Sequence, residues 1–130
     1  KFAKAILERK PISVFNSGDM KRDFTYVDDT VSGILAALDK VPSDRDQVVP
    51  HRLFNIGNNH PENLLRFIEV IEKAVGRKAV LKFEPMQLGD VQETYADITE
   101  SQHELAYDPK VTIDEGIPRF INWFRNYYGY

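Results

Sequence analysis

Short β-branched or aromatic runs alternate along this chain with stretches whose apolar residues recur every three or four positions, and that alternation narrows the fold more than any other feature. Phe2, Ala5, Ile6 and the stem of Arg9 form one face of an opening helix that stops before Pro11. Ile12–Phe15 reads as a short strand, Asn16–Asp19 as a turn, and Phe24–Val27 as the next strand. A hairpin-like pairing of these two strands is expected, although the loop between them is not short. Asp28 or Asp29 then caps a helix whose apolar stripe is Val31, Ile34, Leu35 and Leu38. Pro42 to Pro50 reads as a variable surface loop, and Arg52–Gly57 as a strand ending in glycine. In the clearest helix, Pro61 suits the first helical position, Leu64, Phe67, Ile68, Ile71 and Val75 repeat at helical spacing, and Gly76 is the stop. Ala79–Phe83 is a strand, followed by a loop around Gly89-Asp90. Asp97 with Glu100 caps a short helix, and Thr112-Ile113-Asp114-Glu115 is a capping box for the last one. That helix carries Ile117, Phe120, Ile121 and Phe124, with Pro118 deep enough to predict a kink or a late start.

This order of elements is that of an α/β or α+β piece, with too few strong strands for a complete doubly wound sheet. The 130 residues suit one domain, or a large part of a bigger one, and 42% hydrophobic content is enough for a core. A start inside a helical pattern, at Lys1-Phe2-Ala3-Lys4 and without methionine, suggests that the natural N-terminus lies further upstream. The net charge of -3 points away from nucleic acid and from a general anion-steering surface, so any phosphate must be held by a few placed groups. No cysteine is present, and His51, His60 and His103 lack metal-ligand spacing, so no metal site is expected. No apolar run approaches the roughly 18 residues that span a bilayer. Asn55-Ile56-Gly57-Asn58-Asn59 holds a single glycine, so no dinucleotide fingerprint follows a strand. No tyrosine is followed four positions later by lysine: Thr30 follows Tyr26 and Thr99 follows Tyr95 at that spacing.

The stretch Lys21-Arg22-Asp23-Phe24-Thr25-Tyr26-Val27-Asp28-Asp29 is the most informative about function. A cation on a strand that runs into an acid-opened helix can hold a planar, permanently charged fork at the lip of a cleft, where it suits phosphate or carboxylate. The same pattern also describes an ordinary strand-to-helix corner, with Arg22 in a salt bridge to Asp19 or Asp23.

Several segments resemble, in order and spacing, the C-terminal half of nucleotide-sugar epimerases and dehydratases of the extended short-chain dehydrogenase/reductase (SDR) family. They are Phe2–Ile12, Met20–Asp29, Phe54-Asn55-Ile56-Gly57-Asn58, Gly89-Asp90-Val91, Tyr95-Ala96-Asp97 and Glu115-Gly116-Ile117 with Trp123-Phe124. The likeness covers nearly the whole chain and is nearest to bacterial UDP-glucuronate 4-epimerases. It implies an α/β fold, with residues 1–130 forming the C-terminal nucleotide-sugar-binding portion of a Rossmann-like NAD-dependent protein. It also implies that the glycine-rich loop and the tyrosine–lysine pair lie in the other half, so no catalytic and no cofactor-binding residue is expected here. NAD would be bound mainly by that half, the substrate would be a UDP-sugar, and the full-length protein would be a cytoplasmic homodimer that binds neither nucleic acid nor membrane. The implied reaction is transient oxidation at C4, rotation of the 4-keto sugar about its nucleotide anchor, and return of hydride to the other face.

By the same resemblance, Arg22 reaches the diphosphate and Asp90 accepts from the ribose hydroxyls, with Gly89 allowing the turn before it. Ser13 and Phe15 border the uracil, although Phe15 as simple core and Asp90 as a solvated loop acid stay open. Phe24 occupies a position that is aromatic in relatives. Gln87 stands where many relatives carry a second phosphate-binding arginine, which would remove one charge-assisted contact, with Lys21 a candidate to compensate. Asp29, Asp97 and Trp123 read as architectural, Asp29 capping its helix through Ser32-Gly33. Other readings are a dehydratase, a decarboxylase or an N-acetylhexosamine epimerase of the same family, a non-catalytic nucleotide-sugar-binding module, or a free-standing domain. In the fragment reading, Leu53–Ile56 is an edge strand of an incomplete sheet.

Overall fold

A computed structural model describes residues 1–42 and 51–130, so most of the expected 42–50 loop lies outside the described residues. The chain divides into two units. The first comprises residues 1–22, 61–94 and 112–130, and the second residues 23–60 and 95–111.

In the first unit, two helix–strand pairs are laid side by side. Helix α1 (Phe2–Leu7) leads into β1 (Pro11–Phe15), and α3 (Leu64–Val75) leads into β4 (Val80–Glu84). The two strands pair in parallel, from Pro11 opposite Val80 to Phe15 opposite Glu84. Parallel neighbours need a crossover, which here leaves the strand ends free of any hairpin. The expected hairpin of the first two strands is therefore not formed. Instead, β2 lies at Lys21–Asp23 and pairs with β3 (Pro61–Asn63). Residues 24–26 are not strand, because the chain has already turned toward the next helix.

The apolar faces close on each other as the periodicity requires. Ala3, Ile6, Ile71, Val75 and Ile121 form one buried cluster, while Ile12, Val14 and Ile68 form another. Pro61 belongs to β3 and does not open α3; Asn63 does, its Oδ1 accepting from the N–H of Leu65 at 2.8 Å. Gly76 ends α3 at φ 73, the left-handed conformation that glycine adopts without strain. Glu72 then organises the turn into β4, accepting from Lys78 Nζ at 2.6 Å and Ala79 N–H at 2.8 Å. Burial alone would raise the Glu72 pKa, but these two donors outweigh it and hold the carboxyl below the usual range.

Helix α5 (Ile113–Tyr128) runs through Pro118 without a late start. Its capping box is not formed: Thr112 makes no side-chain cap bond, and Asp114 pairs with Arg66 at 2.6 Å. Trp123 stacks on Tyr127 along the exposed side of this helix.

In the second unit, α2 (Val27–Leu38) and α4 (Thr99–Leu105) gather around Ile98, Leu105 and Tyr107, with Ala36, Ala37, Phe54, Ile56 and Ala96. The packed side of α2 is its small-residue side. A Cβ at Gly33 would meet Ile56 at 2.6 Å and the Tyr107 ring at 3.1 Å, so helix and core touch at backbone distance. The expected apolar stripe lies on the other side: Val31, Ile34, Leu35 and Leu38 are 45–69% exposed, with Val27 beside them at 60%. The expected strand at 52–57 is not strand either, and Leu53 is exposed. A strand is defined by ladder bonds to a neighbour, and residues 52–57 have no ladder partner among the described residues.

Candidate functional site

Strand β2 presents Arg22, and the strand end fixes its guanidinium from several directions. Nη1 donates to the carbonyls of Lys21 at 2.8 Å and Gln92 at 3.2 Å. Nη2 donates to Asp90 Oδ1 at 2.8 Å. The segment that brings Gln92 and Asp90 there is held along β2 by the N–H of Lys21 to the Gln92 carbonyl and the N–H of Thr94 to the Lys21 carbonyl. Gln92 Nε2 closes the edge by donating to Asp19 Oδ2 at 2.9 Å. Asp90, not Asp19 or Asp23, is thus the carboxylate that meets Arg22.

Asp90 follows Gly89, whose φ of 83 is the left-handed turn that its lack of a side chain permits. The N–H of Asp90 donates to the Gln87 carbonyl, and Asp90 Oδ1 also accepts from the N–H of Val91 at 2.9 Å. Both ends of the ion pair are therefore pinned to backbone. Its side chains are 24% and 31% exposed, so it is accessible without being fully solvated. Of the guanidinium donors, Nε–H and one Nη2–H have no partner among the described residues, and neither has Asp90 Oδ2.

The other site residues expected from the sequence divide as follows. Ser13 and Phe15 share one side of β1, opposite to that of the buried Ile12 and Val14. Phe15 is half-buried and Ser13 exposed, so neither belongs to the core. Gln87 is exposed in the same loop as Asp90, where its carbonyl closes the turn. Lys21, the candidate to compensate for Gln87, sits 3.9 Å from Glu93. Phe24 belongs to the second unit, where it is half-buried.

The sequence reading missed the role of two acids in that second unit. Asp23 accepts from the N–H groups of Asn58 at 3.2 Å, Asn59 at 3.1 Å and Ala96 at 3.0 Å, stapling the Gly57 loop to the segment before α4. Asp29 does not cap its own helix: it accepts from the N–H groups of Lys110 at 3.2 Å and Val111 at 3.0 Å, while Ser32 Oγ donates to its main-chain carbonyl. The partners lie 35 to 82 positions away, so no local spacing announces them. Asp97 accepts from the hydroxyl and N–H of Thr99, which hold its carboxyl below the usual range, but the N-cap of α4 is Ile98 and no side-chain cap bond is made there. Tyr107 donates to the Gly57 carbonyl at 2.8 Å, and burial, reinforced by the charges of Asp29 and Asp23, pushes its pKa up to about 12.

These residues do not form a dinucleotide cradle. The absent side chain of Gly57 leaves room for Ala96, whose Cβ is 2.2 Å from where a Cβ would stand, and not for a phosphate. Among the described residues no group of His, Asp and Glu is arranged to hold a metal ion, and no helix is long and apolar enough to cross a membrane.

A carboxylate and a guanidinium are thus pinned side by side, each with hydrogen-bonding positions unused among the described residues. Residues 1–57 match the NAD dependent epimerase/dehydratase family. Over nearly its whole length the chain has the α/β fold of SDR-type epimerases. It superposes on a Bacillus cereus UDP-glucuronic acid 4-epimerase, solved with UDP-glucuronic acid and NAD, with a TM-score of 0.82 and 31% identity, covering 98% of this chain and 39% of that one. In sequence it is 36% identical to a probable UDP-glucuronate 4-epimerase of Rhizobium meliloti, covering 98% of this chain and 41% of the relative. It is 54% identical to an uncharacterized protein of Methanocaldococcus jannaschii, covering 95% of this chain and 36% of that protein. The chain thus spans about two fifths of the length of the relatives it matches.

Proposed function

We propose that this chain is the nucleotide-sugar-binding portion of a longer NAD-dependent UDP-sugar 4-epimerase, with UDP-glucuronate as the substrate interconverted with UDP-galacturonate. The observation that carries this reading is the Arg22–Asp90 pair, which sets guanidinium donors beside a free carboxylate oxygen. A diphosphate accepts from the former, and the adjoining ribose hydroxyls donate to the latter. Ser13, Phe15 and Gln87 are assigned to the surroundings of the same nucleotide, and Phe24 to packing. The similarity to UDP-glucuronate 4-epimerases over nearly the whole chain supports the choice of sugar.

In this reading the chain supplies grip and not chemistry. Arg22 and Asp90 hold the nucleotide while the sugar remains free to turn, and holding a reactant in place is itself a large part of catalysis. NAD and the redox chemistry are assigned to polypeptide outside this chain. Two observations support a longer protein. The matched relatives are more than twice as long, and α2 carries five large apolar side chains in solvent, a face that further polypeptide would cover. A cytoplasmic homodimer serving polysaccharide biosynthesis completes the proposal.

The test is Arg22→Ala in the intact protein. UDP and UDP-glucuronate should both bind roughly 10- to 100-fold more weakly and by similar factors, since they share the diphosphate and a hydrogen bond to a charged group is worth about 1.5–3 kcal/mol. Unchanged UDP affinity refutes the assignment. Incubation with a panel of UDP-sugars, with products resolved by NMR, decides between epimerisation and the dehydratase or decarboxylase alternatives.

A further inference from the structure

We propose that a second anion site, one that takes a diphosphate group, lies at the end of β1 and β4 away from Arg22 and Asp90. An open hollow of about 320 Å3 is lined there by Arg9, Lys10, Arg77 and Lys78, with Ile6 and Val80 as its apolar walls. Four of the chain's 17 Lys and Arg residues thus meet at one space whose lining holds no carboxylate, in a protein of net charge -3. Arg9 and Lys10 join α1 to β1, while Arg77 and Lys78 join α3 to β4. Because β1 and β4 run parallel, both turns arrive at the same end, where Pro11 lies opposite Val80. The chain leaves the other end through Glu84 on its way to Asp90, one strand length or roughly 15 Å further along.

Cations just past a helix answer its negative end, and part of this cluster does so for α1. Arg77 Nη1 donates to the Leu7 carbonyl at 2.7 Å. Lys10 and Lys78 pair with acids outside the lining, Glu8 at 2.8 Å and Glu72 at 2.6 Å. These bonds hold three cations in place and still leave an excess of positive charge. The Arg77 guanidinium has one acceptor for its five N–H donors, and the Arg9 guanidinium has none among the described residues. Arg9 also sits at φ 58, the left-handed conformation that closes α1 through the N–H of Lys10 to the Ala5 carbonyl at 2.8 Å. Glycine usually takes that place, since a side chain there is strained. A strained arginine with no partner in its own fold is available to a ligand. Two guanidinium forks match phosphate oxygens in pairs and two ammonium groups add charge, so the hollow suits two linked phosphates better than a single carboxylate.

The test is calorimetric titration of the intact protein with inorganic pyrophosphate, and separately with UDP, comparing Arg22→Ala with Arg22→Ala carrying Arg9→Gly as well. Pyrophosphate should bind to Arg22→Ala, and adding Arg9→Gly should weaken it roughly tenfold or more, as the loss of a charge-assisted contact requires. If UDP is weakened by Arg9→Gly in the same way, the site takes nucleoside diphosphates too; if only pyrophosphate is, the site is confined to the inorganic ion. Either pattern supports a diphosphate site. Glycine relaxes the turn that arginine strains, so Arg9→Gly should melt no lower than its parent. A purely structural Arg9 would instead lower the melting temperature and leave pyrophosphate affinity as it was. Absence of pyrophosphate binding in Arg22→Ala, or equal affinity with and without Arg9, overturns the proposal. The comparison at residue 9 decides the matter whether or not Arg22 proves to be the nucleotide grip.

Discussion

Replacing Tyr107 with phenylalanine should remove a specific part of the protein's sensitivity to alkali. Tyr107 is 3% exposed, and its hydroxyl donates to the Gly57 carbonyl at 2.8 Å. Ionising it would abolish that donor and place a phenolate among apolar side chains near two carboxylates. Burial, and then Asp29 and Asp23, accordingly raise its pKa from 10.0 to about 12. A folded-state pKa above the unfolded one means that the unfolded chain releases the proton first. The stabilisation is therefore complete below pH 10 and is lost as pH rises toward 12. At about 1.4 kcal/mol per pH unit, the loss across that window is about 2–3 kcal/mol. In Tyr107→Phe that dependence disappears. Near pH 7 the variant should be less stable by about 1 kcal/mol, for the lost hydrogen bond and the unpartnered carbonyl. Urea unfolding followed by circular dichroism, for both proteins at several pH values, provides the comparison. Other tyrosines and the lysines titrate in the same range, so the informative quantity is the difference between the two proteins. The two stability curves should converge from pH 10 upward and then cross. Curves that stay parallel through this range would refute the argument.

Asp23→Asn should destabilise the second unit by about 2–4 kcal/mol, because one carboxylate oxygen that accepts backbone N–H groups becomes an NH2 that cannot accept; thermal unfolding measures it. Gly57→Ala should be more damaging than an alanine at Gly89. The first places a Cβ 2.2 Å from Ala96, whereas the second meets only backbone strain, with no atom within 4 Å. Parallel melts of the two variants decide this. The 130-residue chain alone should self-associate through α2, and Ile34→Glu with Leu38→Glu should suppress it, as read by sedimentation velocity. On acidification, the Glu72 contribution should be present above its unfolded pKa near 4.5 and disappear as pH falls through the depressed folded value, a loss absent from Glu72→Gln.

The elements most legible in the sequence were those fixed by local chemistry. Gly76 stops α3, β1 and β4 fall close to their expected places, and Gly89 makes the turn that aims Asp90. Arg22 stands out as a cation beside a β-branched and aromatic run, a pattern that an ordinary strand-to-helix corner shares; the resemblance put Asp90 at the same nucleotide, whereas the residues alone offered Asp19 or Asp23 as the ion-pair partner. Features that depend on distant partners were not legible. The apolar periodicity of α2 identifies a hydrophobic face but not whether anything in this chain covers it, and Gly33 with Ala36 and Ala37 took the packed side instead. Thr112 and Glu115 have capping-box spacing, yet the cap bond is not made. Asp23 and Asp29 looked like strand-end and helix-start acids. Both serve loops far along the chain, since a carboxylate near several unpaired N–H groups is better satisfied there than in water.

The grip assigned to Arg22 and Asp90 is tested most directly by a crystal structure of the intact protein with UDP bound. The account places a diphosphate oxygen within hydrogen-bond distance of Arg22 Nε or Nη2, and a ribose hydroxyl on Asp90 Oδ2. UDP bound elsewhere, with both of those positions facing solvent, would contradict it.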